Sequence, residues 1–157
     1  MWLHQVHGNN IIRLGSRSNS EVAINTVDGS YSIEANKVCV VMTADSLPLL
    51  LCDDEGRQIA AVHVGWRGFS KNITDVLDKF ICANEKIIAW PGPCICAEHY
   101  ETGIKVHDAC LSIFSEAKQA FSPTRPLHWQ TDLHKLVSLH MRSRLKENLR
   151  CTVLYLS

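Results

Sequence analysis

Residues 47–64 read LPLLLCDDEGRQIAAVHV, two apolar runs on either side of an acidic, glycine-containing break. Each run has the length of a strand rather than a helix. Asp53, Asp54, Glu55 and Gly56 supply turn chemistry, so residues 47–52 and 59–64 read as an antiparallel hairpin. Pro48 keeps the start of the first run at a strand entry or an edge. Working outward, residues 9–14, 38–42, 87–90 and 151–156 read as further strands, with a loop tip at 15–20. Behind Gly68, the residues Ile73, Val76, Leu77, Phe80 and Ile81 recur at helical spacing, with Lys71, Asp75, Asp78 and Lys79 on the other face. Residues 104–121 read as a second helix, and 122–126 (SPTRP) as a linker. A last helix carries Leu133, Leu136, Val137, Leu139 and Leu145, capped by Thr131 or Asp132. The expected architecture is one α+β domain over residues 1–157, a mixed sheet flanked by helices.

Lys plus Arg number 16 and Asp plus Glu number 16, so the formal charge is zero. That gives no electrostatic case for nucleic acid or an anionic membrane as partner. No apolar run approaches the roughly 20 residues that span a bilayer, and no signal peptide is expected behind Met1. The 7 cysteines, odd in number and irregularly spaced, argue against a disulfide framework and for a reducing, cytoplasmic setting. Oligomeric state is left open. Eight histidines invite a metal or proton-transfer reading.

Two of those histidines sit in loops suited to a site. His7 lies in HQVHG, residues 4–8, where Gly8 permits close backbone approach. His63 ends the second apolar run, before Gly65-Trp66-Arg67-Gly68. Free amides of a helix following Gly68, together with the Arg67 guanidinium, suit an anion such as phosphate. Between the histidines, Asp45 and Ser46 stand side by side in TADSLP. Two imidazoles from separate loops and a third side chain form the minimum set for a catalytic transition-metal site. Plainer readings stand beside this one: a satisfied loop histidine at His7, Trp66 plugging the core while Arg67 pairs with a surface acid, and Ser46 capping a turn. Ser46 with His63 also suggests a serine nucleophile, although the G-x-S-x-G elbow is missing. Cys94 and Cys96 form a C-x-C with no second pair at metal-ligand spacing, and His99 nearby adds no support.

Taken together, Gln5-Val6-His7-Gly8, Thr43-Ala44-Asp45-Ser46-Leu47-Pro48, His63-Val64-Gly65-Trp66-Arg67-Gly68, Gly92-Pro93-Cys94-Ile95 and Tyr100-Glu101 resemble the motifs of the YfiH-like laccase-domain family. That family is described both as multicopper polyphenol oxidases and as purine nucleoside phosphorylases. The resemblance covers nearly the whole chain from His4 onward. It implies a mixed α/β fold also grouped with putative cysteine hydrolases, and a zinc ion held at His7, Ser46 and His63, with copper as the alternative. It also implies purine nucleoside chemistry: phosphorolysis of adenosine, inosine, guanosine or methylthioadenosine, and deamination of adenosine. On this reading Asp45 and Arg67 are catalytic. Gln5, Arg67 and Gly68 contact the nucleoside or phosphate.

The chain departs from the family pattern in three ways. Ser46 replaces the cysteine of T-A-D-C-L-P, an alcohol for a soft thiolate. Only four residues precede Gln5, and the late S-Y-R-R type segment is missing, so a laccase domain incomplete at both ends is expected. Two further readings follow, a catalytically silent nucleoside-binding module and copper-dependent phenol oxidation.

Overall fold

The hairpin at 47–64 forms the middle of the larger sheet. In the computed structural model of the chain, the described residues are 3–15, 26–79, 86–148 and 150–153. Strand β3 (Leu47–Asp53) runs antiparallel to β4 (Ile59–Val64), with Leu47 opposite Val64, Leu49 opposite Val62 and Leu51 opposite Ala60. These six side chains share the core face and are buried. The acidic turn closes on itself. The buried Asp53 carboxylate accepts the amides of Arg57 (2.6 Å) and Gln58 (3.2 Å), and Gly56 takes the left-handed φ of +70° that the turn requires.

Four more strands complete the sheet: β1 (Ile11–Arg13), β2 (Gly29–Ser32), β5 (Lys86–Pro91) and, last in the chain, β9 (Arg150–Val153). The order is β1-β2-β4-β3-β5-β9. The two outer pairs, β1–β2 and β5–β9, are parallel and the inner ones antiparallel, so the sheet is mixed as expected. A second sheet has β8 (His128–Thr131) between β6 (Glu101–Gly103) and β7 (Phe121–Arg125). Among the described residues three α-helices accompany the sheets: α1 (Trp66–Phe69), α2 (Ile104–Leu111) and α3 (Leu133–Asn148). Leu133, Leu136, Val137 and Met141 of α3 join Phe69, Ile73, Val76 and Leu77 in the core over the sheet. Each such fully buried side chain contributes roughly 1.5–3 kcal/mol of transfer free energy. Asp132 caps α3 by accepting the Lys135 amide at 2.8 Å. Among the described residues no helix is long and apolar enough to cross a membrane.

Several expectations are corrected. Residues 38–42 are not a strand: Val38 is 71% exposed and Met42 53%, and Cys39 reaches toward the sheet, its thiol 3.9 Å from the Ile59 carbonyl. The free edge of β4 is taken instead by β2, whose Gly-Ser-Tyr-Ser composition hides it from hydropathy. Gly29 is needed there, because a Cβ would lie 3.1 Å from the Ala61 carbonyl. The helix expected after Gly68 begins earlier, at Trp66, and stops after one turn. Asn72 at φ +61° breaks the path, and Ile73–Lys79 continues as a 3-10 helix that still buries Ile73, Val76 and Leu77. Phe80 and Ile81 lie outside the described residues, as do 16–20 of the expected loop tip and 154–156 of the terminal strand. The stretch 104–121 divides into α2, a 3-10 helix at Ser115–Ala120 and the start of β7. The segment read as a linker is itself β7, an outer strand where Pro123 is tolerated.

Gly68 is buried against the His7 loop, and a Cβ on it would sit 2.8 Å from the Gly8 carbonyl oxygen. His140, 5% exposed, lies between Phe69 and Phe114 and bonds its Nδ1 to Thr74 Oγ1 at 3.0 Å. Burial, with Arg144 nearby, lowers its pKa from 6.5 to about 4.

Gly68→Ala therefore forces backbone apart and is expected to cost about 1–3 kcal/mol, read as a lower urea midpoint with unchanged slope. His140 gives a pH signature. Between 6.5 and about 4 the unfolded chain binds a proton that the native chain refuses. Its contribution is therefore present above 6.5 and is lost as pH falls through that window. By pH 4.5 this amounts to roughly 2–3 kcal/mol. Denaturant titrations at pH 7 and 4.5 should show His140→Gln losing less stability on acidification than the parent; equal losses would contradict the assignment.

Candidate functional site

The site grows from the end of β4. His63 lies opposite Pro48, on the sheet face away from the core, and is 4% exposed. Its backbone amide donates to the Asp28 carbonyl at 2.7 Å, and its ring Nδ1 lies 2.9 Å from Asp28 Oδ1. A carboxylate oxygen accepts, so Nδ1 carries the hydrogen, and in the neutral tautomer this selects, Nε2 keeps its lone pair. Asp28, immediately before β2, is fully buried. Its carboxylate also accepts three successive amides of the first loop: Val6 at 3.3 Å, His7 at 2.8 Å and Gly8 at 2.6 Å. Such a concave run of amides needs a left-handed residue, and His7 supplies it at φ +57°.

The loop so held brings the His7 ring edge-on to that of His63, with centroids 4.8 Å apart and an interplanar angle of 84°. Ser46 completes the group at the entry to β3. A Cβ placed on Gly65 would lie 3.0 Å from Ser46 Oγ and 3.6 Å from His7 Cδ2, so both side chains close around that glycine. His7, Ser46 and His63, together with Gln5 and Asp45, line a cleft of about 500 Å³. Among the described residues, the His7 ring nitrogens, the Ser46 hydroxyl and the Asp45 carboxylate have no hydrogen-bond partner.

The other expected residues fall as follows. The Gln5 side chain is engaged by the scaffold: its amide donates to the Met42 carbonyl (2.8 Å) and accepts the Met42 amide (2.7 Å), pinning the TADS loop to the His7 loop. The Asp45 carbonyl accepts the Ile95 amide at 3.0 Å, which ties the Gly92-Pro93-Cys94-Ile95 segment to the same cleft. Arg67 is exposed and lies over the Trp66 ring at 4.8 Å, with no carboxylate partner among the described residues. The expected alternative, an ion pair with a surface acid, is replaced by this stacking. Gly68 serves close packing on Gly8 rather than an open anion pocket, and the four-residue α1 offers only a short row of amides.

Cys94 and Cys96 are not among the residues lining the cleft. Burial, then Asp132, pushes the Cys94 thiol up to about 11, while Cys96 Sγ lies 2.9 Å from His99 Nδ1. Asp28 escaped sequence reasoning: it lies in Val-Asp-Gly-Ser, and nothing local marks it as a buried anion. Tyr100 is half-buried, and its hydroxyl is pushed up to about 12 by burial first, with the opposed charges of Arg67 and Asp45 both within its reach.

The donor chemistry can be matched to the metal that the motifs imply. Imidazole nitrogens suit zinc and copper, and two of them face one cleft here. The third donor is a hydroxyl, hard and protonated. Among the described residues no group of three or more His, Cys, Asp or Glu side chains could hold a metal. Two imidazoles and one hydroxyl are what this cleft offers a metal.

Residues 1–151 match the family model described as multi-copper polyphenol oxidoreductase laccase. The chain is 38% identical over 122 residues to the Shigella flexneri protein named purine nucleoside phosphorylase YfiH, covering 77% of this chain and 49% of that one. It is 39% identical over 141 residues to a Xylella fastidiosa purine nucleoside phosphorylase, covering 86% and 53%. The chain thus spans about half the length of the curated relatives it matches. The fold is similar to the crystal structure of a Neisseria meningitidis protein of family DUF152, with a TM-score of 0.82, 28% identity, and coverage of 97% of this chain and 61% of that one. It is also similar in fold to YlmD of Geobacillus stearothermophilus, with a TM-score of 0.74, 22% identity, and coverage of 96% and 61%. By motif, fold and relatives, the chain belongs to the YfiH-like multi-copper polyphenol oxidoreductase laccase family.

Proposed function

We propose that the cleft is the site of a zinc-dependent purine nucleoside enzyme that carries out phosphorolysis of adenosine, inosine, guanosine or methylthioadenosine and deamination of adenosine. The observation that carries this reading is the convergence of His7 and His63 on one cleft, with acceptor nitrogens left over, in a chain whose curated relatives are named purine nucleoside phosphorylases. His7 and His63 would hold the metal, with Ser46 as a weak third donor. When bound, zinc supplies Lewis acidity toward water or a substrate oxygen.

The remaining roles follow from position. Asp45, on the cleft wall with an unengaged carboxylate, can hold or pass a proton at a purine nitrogen or a ribose hydroxyl. Arg67 lies over the Trp66 ring and is not among the residues lining the cleft, so its planar fork would take phosphate beside the cleft rather than within it. Gln5 fixes the wall that a nucleoside would rest against. A cleft of about 500 Å³ falls in the usual range for small-ligand sites. The free thiols at Cys39, Cys52, Cys94, Cys96 and Cys110 fit a reducing cytoplasm.

Copper-dependent phenol oxidation is favoured by the family description alone. Several coppers demand more donors than the pair assembled here, so it ranks second. The hydroxyl at Ser46 favours a further alternative, a module that binds nucleosides without turning them over.

Ser46→Cys separates these readings. It should raise zinc affinity by at least about tenfold, measured by competition with a chromophoric chelator. Adenosine phosphorolysis and deamination should rise with zinc content. Unchanged affinity would remove Ser46 from the metal site. No zinc binding by either protein would end the metal reading, and raised zinc content with no turnover would leave the silent module.

A further inference from the structure

We infer that Asp28 is the positioning residue of this site: one buried carboxylate selects the ring tautomer of His63 and holds the left-handed bend at His7, so that both imidazoles face the cleft before any ligand arrives. The inference rests on the reading above in naming zinc as that ligand. It rests on geometry for the rest.

The carboxylate has four N–H donors around it. Oδ1 takes the His7 amide at 2.8 Å and His63 Nδ1 at 2.9 Å; Oδ2 takes the Gly8 amide at 2.6 Å and the Val6 amide at 3.3 Å. Asp28 and His63 are also joined through their backbones, by the His63 amide to the Asp28 carbonyl. With Nδ1–H committed to the carboxylate, only Nε2 of His63 can bind a metal. The same carboxylate stabilises the φ of +57° at His7, a conformation unfavourable for a residue with a Cβ when unsupported. Asp28 therefore acts on both imidazoles through different bonds.

Asp28→Asn tests this with little change of shape. An asparagine keeps one acceptor oxygen and turns the other into an NH₂ donor. Three of the four groups around it are backbone amides, which can only donate. His63 alone can become an acceptor, by moving its hydrogen to Nε2. The asparagine oxygen should therefore face Gly8 and Val6, and its NH₂ should face His63. The ring then presents N–H to the cleft where a lone pair is needed.

The experiment reads two quantities: the His63 tautomer, from long-range ¹⁵N–¹H correlations of the metal-free protein assigned with His63→Gln, and zinc affinity by chelator competition. In the parent protein His63 should be the Nδ1–H tautomer. In Asp28→Asn it should become Nε2–H, and zinc affinity should fall about 10–100-fold. Asp53→Asn is the control, because Asp53 is an equally buried carboxylate that clamps a turn elsewhere. It should lower stability and leave tautomer and affinity unchanged.

An Nε2–H ring in the parent protein would overturn the inference without recourse to any variant. So would Asp28→Asn with the parent's tautomer and affinity. A tautomer change in Asp28→Asn, in a protein that takes up no zinc even as Ser46→Cys, would uphold the hold of Asp28 on His63 and refute the metal reading instead.

Discussion

A single buried carboxylate joins the two halves of the cleft. Asp28 sits where the chain enters β2, and through it the loop at 5–8 is fastened to the end of β4. Without that anion, three part-buried loop amides and one buried imidazole N–H would lose their acceptor. The sheet places the carboxylate correctly because β2 pairs with β4 in a fixed register, Gly29 opposite Val62 and Ser30 opposite Ala61. That register brings Asp28 beside His63. The small residues of β2 allow the strands to approach this closely, so a segment of low hydropathy becomes the frame of the site.

The chemistry above this frame is unequal. Two imidazoles are well oriented, whereas the third position offers a hydroxyl. On the proposed reading a metal here would have three donors, of which one is weak. Gly65 and Gly68 keep this arrangement tight. The first leaves room between Ser46 and His7, and the second lets α1 rest on the Gly8 carbonyl. A metal held by such a set depends strongly on how well the two strong ligands are oriented, which makes the carboxylate beneath His63 matter more than it would in a site with a thiolate.

Much of this was legible in the amino-acid order. The 47–64 hairpin, the α3 stripe and the burial of Ile73, Val76 and Leu77 follow from periodicity, because each has one apolar face and a long enough run to show it. The nearness of His63 to Ser46 follows from a strand, a turn and a return strand. What was not legible has specific causes. Residues 38–42 have β-branched composition, but β2 already occupies the open side of β4. β7 contains Pro123 and exposed polar residues, a pattern that a linker shares. The partnership of Asp28 and His63 spans 35 residues and depends on strand register, which no local pattern encodes. Gln5 lines the cleft, but its pairing with Met42 gives its side chain a scaffolding task that motif reading alone does not reveal.

The central claim is that His7 and His63 form one metal-binding centre. Anomalous diffraction across the zinc edge, on crystals of this chain equilibrated with zinc, tests it most directly. A peak within bonding distance of His63 Nε2 and a ring nitrogen of His7 is expected. A peak at the Cys96–His99 pair, or none beside His7 and His63, would contradict it.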